Sequence, residues 1–381
     1  MSQRFVQIYV FATMFLFSMT VNSIAPLLLT IQEQYGISVA ASSVIPLLNT
    51  LFGIAANIIG GMIIAQVGTK NTINIAIFSG LTGSIIFAFS RSFLTLCLAA
   101  GFIGFGVGLA FMSLSTQYSH LEEKYQNFGL FHAFFGFGGI TAPLLVALIQ
   151  RLDISYSYLY IGCAVLFAVF FVYSVFSKGL PNIRYEKIRL KEAGAILKKP
   201  VVYLTVMIFF LYAASEIGMI TWNGNLFHDG FGTTKEYASF ILSIFWMIFT
   251  FGRIITDAVV KKAGMINVFR IVSTIVIVCI PLLVFTGQPL FLFIIAISFA
   301  PVFPTAQKYG NKYLKGRESG LYNGIVFMSG TTGAAIFVTL MGQIADFNVF
   351  AAYAIPFLCF VGIRIVVFFL GKTSSTETSD A

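Results

Sequence analysis

The segment KGLPNIRYEKIRLKEAGAILKK, residues 178–199, is the longest polar interruption in an otherwise apolar chain. On both sides of it lie long apolar runs, and a helix of about 20 apolar residues is enough to cross a hydrocarbon layer. Six runs precede the segment and six follow it. The pattern therefore predicts an all-α membrane protein of twelve transmembrane helices, arranged as two pseudo-symmetric six-helix bundles.

The predicted parts of the chain are a first bundle over 1–177, a cytoplasmic central loop over 178–199, a second bundle over 200–371 and a cytoplasmic tail over 372–381. The first apolar run is too long for a signal-peptide core and lacks a small-residue cleavage site after it. We therefore expect it to be retained as the first span. The twelve spans are expected near 5–31, 40–66, 72–90, 93–119, 127–150, 155–177, 200–227, 236–260, 267–286, 289–311, 318–344 and 349–371.

The composition supports a membrane environment. Of the 381 residues, 58% are hydrophobic and 10% are charged. A soluble domain carries about a quarter charged residues, which it needs to cover its surface in water. The net charge of +9 would suggest a nucleic-acid partner in a soluble protein. Here the excess of lysine and arginine is better explained by loops on the cytoplasmic side, so no nucleic-acid partner is expected.

The positive residues are distributed unequally between the two sets of loops. This asymmetry predicts a multi-pass protein of the cell (inner) membrane, with both termini and the central loop in the cytoplasm. Only Arg91, Arg151 and Lys235 fall in the outer loops. The inner loops and ends hold Arg4, Lys70, Lys124, Lys178, Arg184, Lys187, Arg189, Lys191, Lys198, Lys199, Lys261, Lys262, Lys312, Lys315, Arg317 and Lys372.

Several classes of chemistry find no support in the sequence. The four cysteines are far apart in apolar runs, without metal-ligand spacing, so we expect reduced thiols, no disulfide and no metal site. The chain has no GxxxxGK[ST] phosphate loop, which argues against ATP-driven transport. No catalytic triad, zinc motif or paired mid-membrane carboxylates point to a membrane enzyme. No cofactor is expected.

Two short connections resemble each other across the two halves. They are GGMIIAQVGTKN (60–71) after the second predicted span and GRIITDAVVKKAGMIN (252–267) after the eighth. With twelve spans divided six and six, these turns resemble the major facilitator superfamily. The superfamily's signature survives as Gly61, Gly68 and Lys70, while Ala65 and Gln66 replace its acidic and basic residues. The resemblance implies a conformational latch at Gly61, Gly68 and Lys70.

Longer stretches resemble the fucose-permease branch of the superfamily. They are GFGVGLAF (104–111), NFGLFHAFFGFGGITAPLL (127–145), YAASEIGMITW (212–222), SIFWMIFTFGR (243–253) and APVFPTAQ (300–307). The resemblance implies alternating access, and sugar uptake coupled to protons is the best-known activity of the branch. Proton-coupled members carry acids where this chain has Asn22 and Phe111. Either Glu216 carries the coupling instead, or transport is uncoupled, or another ion is used.

Two ionisable residues inside predicted spans are candidates for proton coupling. Glu216 lies about 24 Å along its helix from Pro200, at 1.5 Å per residue. Intramembrane charges are functional candidates by default, although a structural acid paired near Gly218 is the alternative. A histidine side chain can change its charge near neutral pH, so His132 could relay a proton. Its alternative role is to cap a neighbouring helix or to bond a carbonyl.

Solute recognition is expected from amide and aromatic side chains within the spans, because binding pockets combine apolar walls with a few polar anchors. Trp222 has an alternative role in an interfacial aromatic belt. Asn49 has an alternative role as a helix–helix contact. The candidates for solute binding are Asn22, Asn49, Gln117, Trp222, Asn223, Asn225, Trp246, Gln307 and Asn323.

Arg253 and Asp257 are four residues apart and share a helix face. We interpret them as a conformational latch together with Lys261 and Lys262, placed near the cytoplasmic end of the eighth span. The alternative is a solvated ion pair, which contributes little.

The leading functional hypothesis is a monomeric secondary transporter for a sugar or similar small polar solute, with protons as a candidate coupling ion. Its partners would be the solute and the lipid bilayer. A first alternative is an exporter of amphipathic drugs or lipids, since 43 phenylalanines could line an aromatic pocket. A second alternative is a transport-dead sensor, which usually needs an output segment outside the membrane.

Overall fold

The computed structural model describes residues 3–125, 128–177, 179–184, 194, 196–314 and 317–377. Within these ranges, twelve helices or helix pairs are long and apolar enough to cross a membrane. No strand is present in these ranges. The prediction of an all-α protein with twelve spans is thereby confirmed. Half of the central loop, residues 178, 185–193 and 195, lies outside the described residues.

Among the described residues, eight α-helices precede the central loop and eight follow it, because four spans are built from two α-helices. The first eight are α1 Gln3–Asn22, α2 Ile24–Tyr35, α3 Val39–Ser42, α4 Val44–Val67, α5 Thr69–Ala88, α6 Phe93–Ser119, α7 Phe128–Arg151 and α8 Tyr156–Phe176. The later ones are α9 Pro200–Asn225, α10 Lys235–Ala263, α11 Met265–Thr286, α12 Pro289–Phe299, α13 Val302–Asn311, α14 Arg317–Phe347, α15 Val349–Ala352 and α16 Ala354–Glu377.

Prolines explain three of the breaks inside these spans. Helices α1, α3 and α15 end at Asn22, Ser42 and Ala352. Each of these positions lies four residues before a proline in the sequence. A proline ring clashes with the carbonyl four residues earlier and has no N–H to donate, so the helix is interrupted there.

Residue contacts divide the chain into two compact units. Unit 1 comprises Met1–Ile188 with Thr233–Ser243, and unit 2 comprises Arg189–Gly232 with Ile244–Ala381. Helix α10 therefore begins in unit 1 and continues in unit 2. The bundle limits at 177 and 200 stay a prediction.

Glycines bring helices of unit 1 close together. A Cβ atom on Gly104 of α6 would overlap the Asn49 carbonyl of α4, and one on Gly108 would lie 2.7 Å from the Gly53 carbonyl oxygen. Small residues allow this approach where lipid supplies no hydrophobic driving force between helices. Aromatic rings fill the interior beside them, including Phe17 and Phe167, whose centroids are 4.8 Å apart.

Unit 2 packs in the same way around α9. A Cβ atom on Gly333 of α14 would overlap the Phe210 carbonyl of α9. On the α12 side, Phe299 stacks on Phe360 of α16 with 5.2 Å between centroids. Phe299 also packs edge-to-face on Tyr212 of α9. These contacts fix α9, the helix that carries Glu216.

Candidate functional site

A carboxylate and a guanidinium face each other inside unit 2. Glu216 on α9 and Arg253 on α10 approach with 3.8 Å between Oε1 and Nη2. The Glu216 side chain is 12% exposed and that of Arg253 is 31% exposed. The Tyr212 hydroxyl, one turn before Glu216, lies beside both charges. Charges within membrane spans are costly unless paired, and here the two opposite charges lie next to each other.

Aromatic rings hold the guanidinium in place. The Arg253 Cζ atom lies 4.3 Å from the Phe249 ring centroid and 5.9 Å from that of Phe303 on α13. A guanidinium over an aromatic face is attracted by the ring quadrupole. The same Phe249 ring meets Trp246 edge-to-face, with 5.5 Å between centroids. Trp246, Phe249 and Arg253 therefore form a continuous ladder along α10.

Three donors along this ladder lack acceptors. The Arg253 Nε, the Trp246 Nε1 and the Thr250 hydroxyl are buried, and none has a hydrogen-bond partner among the residues that the structure describes. Trp246 and Thr250 are 5% and 4% exposed. Buried donors are normally satisfied, so three unmet ones on one helix face mark this site as unusual.

The structure gives Arg253 and Asp257, the residues predicted to form a latch, charged partners on two different helices. Arg253 lies ten residues before the end of α10 at Ala263, about 15 Å at 1.5 Å per residue, and so well inside the span. Its charged partner is Glu216. Asp257 is exposed and pairs instead with Lys308 of α13, with 3.0 Å between the charged atoms. Helical spacing identified a shared face but could not identify partners on other helices.

The residues at the end of α9 are more buried than expected. Trp222 is fully buried, and its Nε1 donates to the Val338 carbonyl of α14 at 2.9 Å. Trp222 is therefore packed between helices of unit 2. Asn223 and Asn225 are each 1% exposed. Asn225 donates to Asp229 at 2.7 Å.

Gln307 and Asn323 are brought together in unit 2. The Gln307 amide donates to Asn323 Oδ1 at 3.1 Å, and Asn311 donates to the same oxygen at 3.0 Å. These three side chains form an amide cluster between α13 and α14. The amide cluster lies on α13 and α14, whereas the Glu216–Arg253 pair lies on α9 and α10.

The candidates in unit 1 do not converge on one place. Asn22 donates to the Ser18 carbonyl of its own helix at 2.9 Å. Asn49 donates to the Ala100 carbonyl at 2.9 Å, which matches the alternative role of a helix–helix contact. The half-buried His132 packs against Phe111 with 5.9 Å between ring centroids.

Gln117, Gly68 and Lys70 meet around the turn between α4 and α5, together with the start of the central loop. The Thr69 hydroxyl donates to Gln117 Oε1 at 2.6 Å. The Lys70 Nζ donates to the Ser177 carbonyl at 2.7 Å, just beyond the end of α8. Gly68 adopts φ +86, and a Cβ atom there would overlap the side chain of Asn182. Gly61, by contrast, lies on an open face of α4.

Asn182 and Ile183 dock on this turn. The Lys70 N–H donates to Asn182 Oδ1 at 3.0 Å, and Asn182 Nδ2 donates to the Val67 carbonyl at 2.9 Å. The Thr69 N–H donates to the Ile183 carbonyl at 2.8 Å, and the Ile183 N–H donates to the Thr69 hydroxyl at 3.0 Å. We call residues 181–184 the strap.

Sequence reasoning missed Tyr212, Thr250 and Asn182. Thr250 could have been found, because it lies on the helix face shared by Trp246 and Arg253. Tyr212 precedes Glu216 by four residues, which is also a helical spacing. For Asn182, 112 residues from its partner Lys70, no local signal exists.

The cysteines and a further intramembrane arginine lie on helices other than α9 and α10, which carry the Glu216–Arg253 pair. Among the described residues, no group of three histidine, cysteine, aspartate or glutamate side chains is placed to hold a metal ion. The four cysteines are buried and free. Arg364 lies within the span Val349–Lys372, but its side chain is exposed, unlike that of Arg253.

Solved structures with the same architecture are transporters. The chain aligns with a D-xylose-proton symporter at a TM-score of 0.79 and 13% identity, covering 97% of each chain. It aligns with nucleoside transporter NupG at 0.74 and 16%, covering 96% of this chain and 98% of that one. For a peptide transporter POT in complex with sulfate, the values are 0.76 and 12%, with 97% and 94% covered. At these identities the likeness establishes the fold alone.

Sequence comparison identifies the family. A search of curated proteins finds no match. The family model described as Major Facilitator Superfamily matches residues 10–338, most of the chain. Members of this family are transporters and not enzymes. With its twelve spans and a family match over most of its length, this chain belongs to the Major Facilitator Superfamily.

Proposed function

We propose that this chain is a secondary active transporter that moves a sugar or similar small polar solute by alternating access, with Glu216 as the proton-coupling acid. The observation that carries the proposal is the intramembrane Glu216–Arg253 pair. A buried carboxylate beside a guanidinium can exist either as an ion pair or as a neutral acid that releases its partner. The two states differ by one proton, which is what coupling requires.

The aromatic ladder beside the pair supports a polar, ring-shaped solute. Phe249 and Trp246 offer apolar faces next to donors, the usual composition of a pocket that orients a small molecule. The resemblance to the fucose-permease branch points to the same solute class. Of the other residues predicted for solute binding, Trp222 and Asn49 are more simply explained by packing, given their contacts to backbone carbonyls.

We further propose that Gly68 and Lys70 act as a latch through the strap, and that the strap lies on the cytoplasmic side of a cell membrane. The distribution of lysine and arginine supports this orientation. A fixed strap would tie the start of the central loop to the α4–α5 turn throughout the transport cycle.

The test is uptake of labelled monosaccharides by liposomes that contain the purified protein, with and without an inward proton gradient. We expect wild type to accumulate a sugar when the gradient is present. Glu216→Gln should abolish accumulation and retain exchange across the membrane, because a glutamine cannot carry the proton.

Glu318→Gln is the matched control. Glu318 is also an ion-paired glutamate of unit 2, with 2.9 Å to Lys199, but it lies at the beginning of α14. The Glu318→Gln variant should accumulate sugar as wild type does. Accumulation by Glu216→Gln at the wild-type level would overturn the coupling role. Absence of any sugar flux in folded protein would overturn the solute class and favour an exporter of amphipathic compounds.

A further inference from the structure

Donors outnumber acceptors around Arg253. The Arg253 Nε, the Trp246 Nε1 and the Thr250 hydroxyl are buried without an acceptor in the described part of the chain. The carboxylate beside them, Glu216, approaches Arg253 at 3.8 Å, which is longer than a hydrogen bond. The guanidinium therefore has a charged neighbour but no close bidentate partner.

The three donors lie on one face of α10. Their positions, 246, 250 and 253, are separated by four and three residues, the spacing of side chains on the same helix face. Phe249 lies between them, in contact with both the Trp246 ring and the Arg253 guanidinium. This ring restricts the plane of the guanidinium, and a fixed guanidinium plane favours recognition of a planar anion.

The donors without acceptors indicate which chemical group would bind at this site. A carboxylate supplies two oxygens with about four lone-pair sites and accepts the two parallel hydrogen bonds of a guanidinium edge. A hydroxyl of a neutral sugar supplies one oxygen and no charge. Of these two groups, the carboxylate better matches a cation with an indole N–H and a hydroxyl along the same face.

We propose that Arg253, Trp246 and Thr250 form a subsite for the carboxylate of an organic monoanion the size of a sugar acid. This inference rests on the proposed transport function and narrows its solute class. Arg253 binds the carboxylate, while Trp246 and Thr250 donate to its oxygens or to a neighbouring hydroxyl. Glu216 is the internal competitor for the same guanidinium.

The competition gives a simple coupling scheme. While Glu216 is ionised, its charge occupies Arg253 and repels an incoming carboxylate. A proton taken up from the water on the side of entry neutralises Glu216, and Arg253 is then available to the solute. The proton stays on Glu216 while the solute is bound. One proton and one monoanion cross together, so the transported complex carries no net charge.

The test compares D-glucuronate with D-glucose, which differ at one carbon by a carboxylate in place of a hydroxymethyl group. Labelled uptake is measured in liposomes at a fixed inward proton gradient, with the membrane potential set by valinomycin and potassium. We expect glucuronate to be preferred by about tenfold or more, the effect of at least one charge-assisted hydrogen bond. Its uptake should be insensitive to the membrane potential, whereas proton-coupled glucose uptake would be accelerated by a negative interior.

Variants assign the preference to Arg253. Arg253→Lys keeps the charge beside Glu216 but loses the bidentate edge, so it should lower glucuronate uptake by a larger factor than glucose uptake and thereby reduce the preference. Trp246→Phe removes one donor and should reduce the preference by a smaller factor. Arg364→Gln, which changes the exposed arginine of the same unit, is the matched control and should behave as wild type.

The outcomes separate this inference from the proposed function. Equal uptake of glucose and glucuronate by wild type, or an equal loss of both in Arg253→Lys, would overturn the carboxylate subsite and leave sugar transport intact. Loss of the preference in Arg364→Gln would overturn the assignment to Arg253. If neither solute crosses while the variants remain folded, both the inference and the proposed solute class fail.

Discussion

The turn between α4 and α5 and the turn between α10 and α11 have nearly the same backbone. Gly68 has φ +86 and ψ 167, and Gly264 has φ +79 and ψ 148, a region that essentially only glycine adopts. Each glycine N–H donates to the carbonyl four residues earlier, at 2.8 and 2.9 Å. Three residues later, Asn71 and Asn267 donate to the carbonyl just before the glycine, at 3.0 and 3.1 Å.

The two turns differ in what covers them. Gly68 is buried beneath Asn182 of the strap, whereas a Cβ atom on Gly264 would meet nothing within 4 Å. After the glycines come Thr69 and Met265, and only the threonine has a hydroxyl to hold the strap. A repeated backbone has therefore acquired a docking role in one half of the sequence. Comparing the two turns therefore distinguishes the residues that form the turn from the residues that bind the strap.

The largest difference is expected for alanine at the two glycines. Gly264→Ala should lower the free energy of unfolding by about 1–3 kcal/mol, the strain of a side chain at this φ. Gly68→Ala carries the same strain and also displaces Asn182, with roughly 1 kcal/mol for each hydrogen bond lost. Gly68→Ala should therefore be the more destabilising, measured by thermal or denaturant unfolding in detergent. Equal losses would contradict a structural role of the strap.

The buried cysteines provide a reporter for each half. Cys97 and Cys163 belong to unit 1, and Cys279 and Cys359 belong to unit 2. A thiol-reactive dye labels them only when unfolding exposes them. Variants that retain one pair, with alanine at the other, allow the effect of Gly68→Ala to be assigned to its own unit.

Asn182→Ala is expected to be next in size. It removes two hydrogen bonds to the turn and should cost about 1–2 kcal/mol of unfolding free energy. In this background the overlap at Gly68 disappears, so adding Gly68→Ala should cost only about the 1–3 kcal/mol of Gly264→Ala. The double-mutant cycle is measured by the same unfolding assay. Strict additivity of the two changes would show that Asn182 does not contact Gly68 in the folded protein.

Lys70→Met should have a smaller effect. The Lys70 Nζ donates to the Ser177 carbonyl beyond the end of α8, and a cation near a helix C-terminus contributes about 0.3–1 kcal/mol. Lys262→Met is the comparison, because Lys262 is an exposed cation in the last turn of α10, where solvent and salt screen its charge more fully. We expect Lys70→Met to lower the melting temperature more than Lys262→Met, and the loss at Lys70 to shrink as salt is added. A salt-independent loss would point to packing of the lysine stem instead.

The smallest difference is expected at the repeated asparagines. Asn71→Ala and Asn267→Ala each remove one exposed hydrogen bond to the turn, with a loss of about 0.5–1 kcal/mol. Because the Val67 carbonyl keeps Asn182 as a second donor, Asn71→Ala should cost slightly less than Asn267→Ala, by no more than about 0.5 kcal/mol. A large difference between them would show that the similarity of the two turns is only geometric.

Local sequence patterns were enough for the twelve spans, which follow from runs of apolar residues. The similarity of the two turns is likewise visible in Gly68 and Gly264. These features depend on residues within about one helical turn of each other, so the sequence alone determines them.

The breaks at Asn22, Ser42 and Ala352 were not predicted. Each lies four residues before a proline, but Pro143 and Pro281 lie inside unbroken helices. Proline alone therefore does not determine a break.

The contacts of the candidate site depend on tertiary structure. Glu216 and Arg253 are both visible in the sequence, but their pairing depends on how α9 and α10 rotate and pack against each other. Asn182 meets Lys70 across 112 residues, through an irregular segment without periodicity. Helical spacing identifies the residues that share one face of a helix. Only the packing of the helices determines which residues of a neighbouring helix that face contacts.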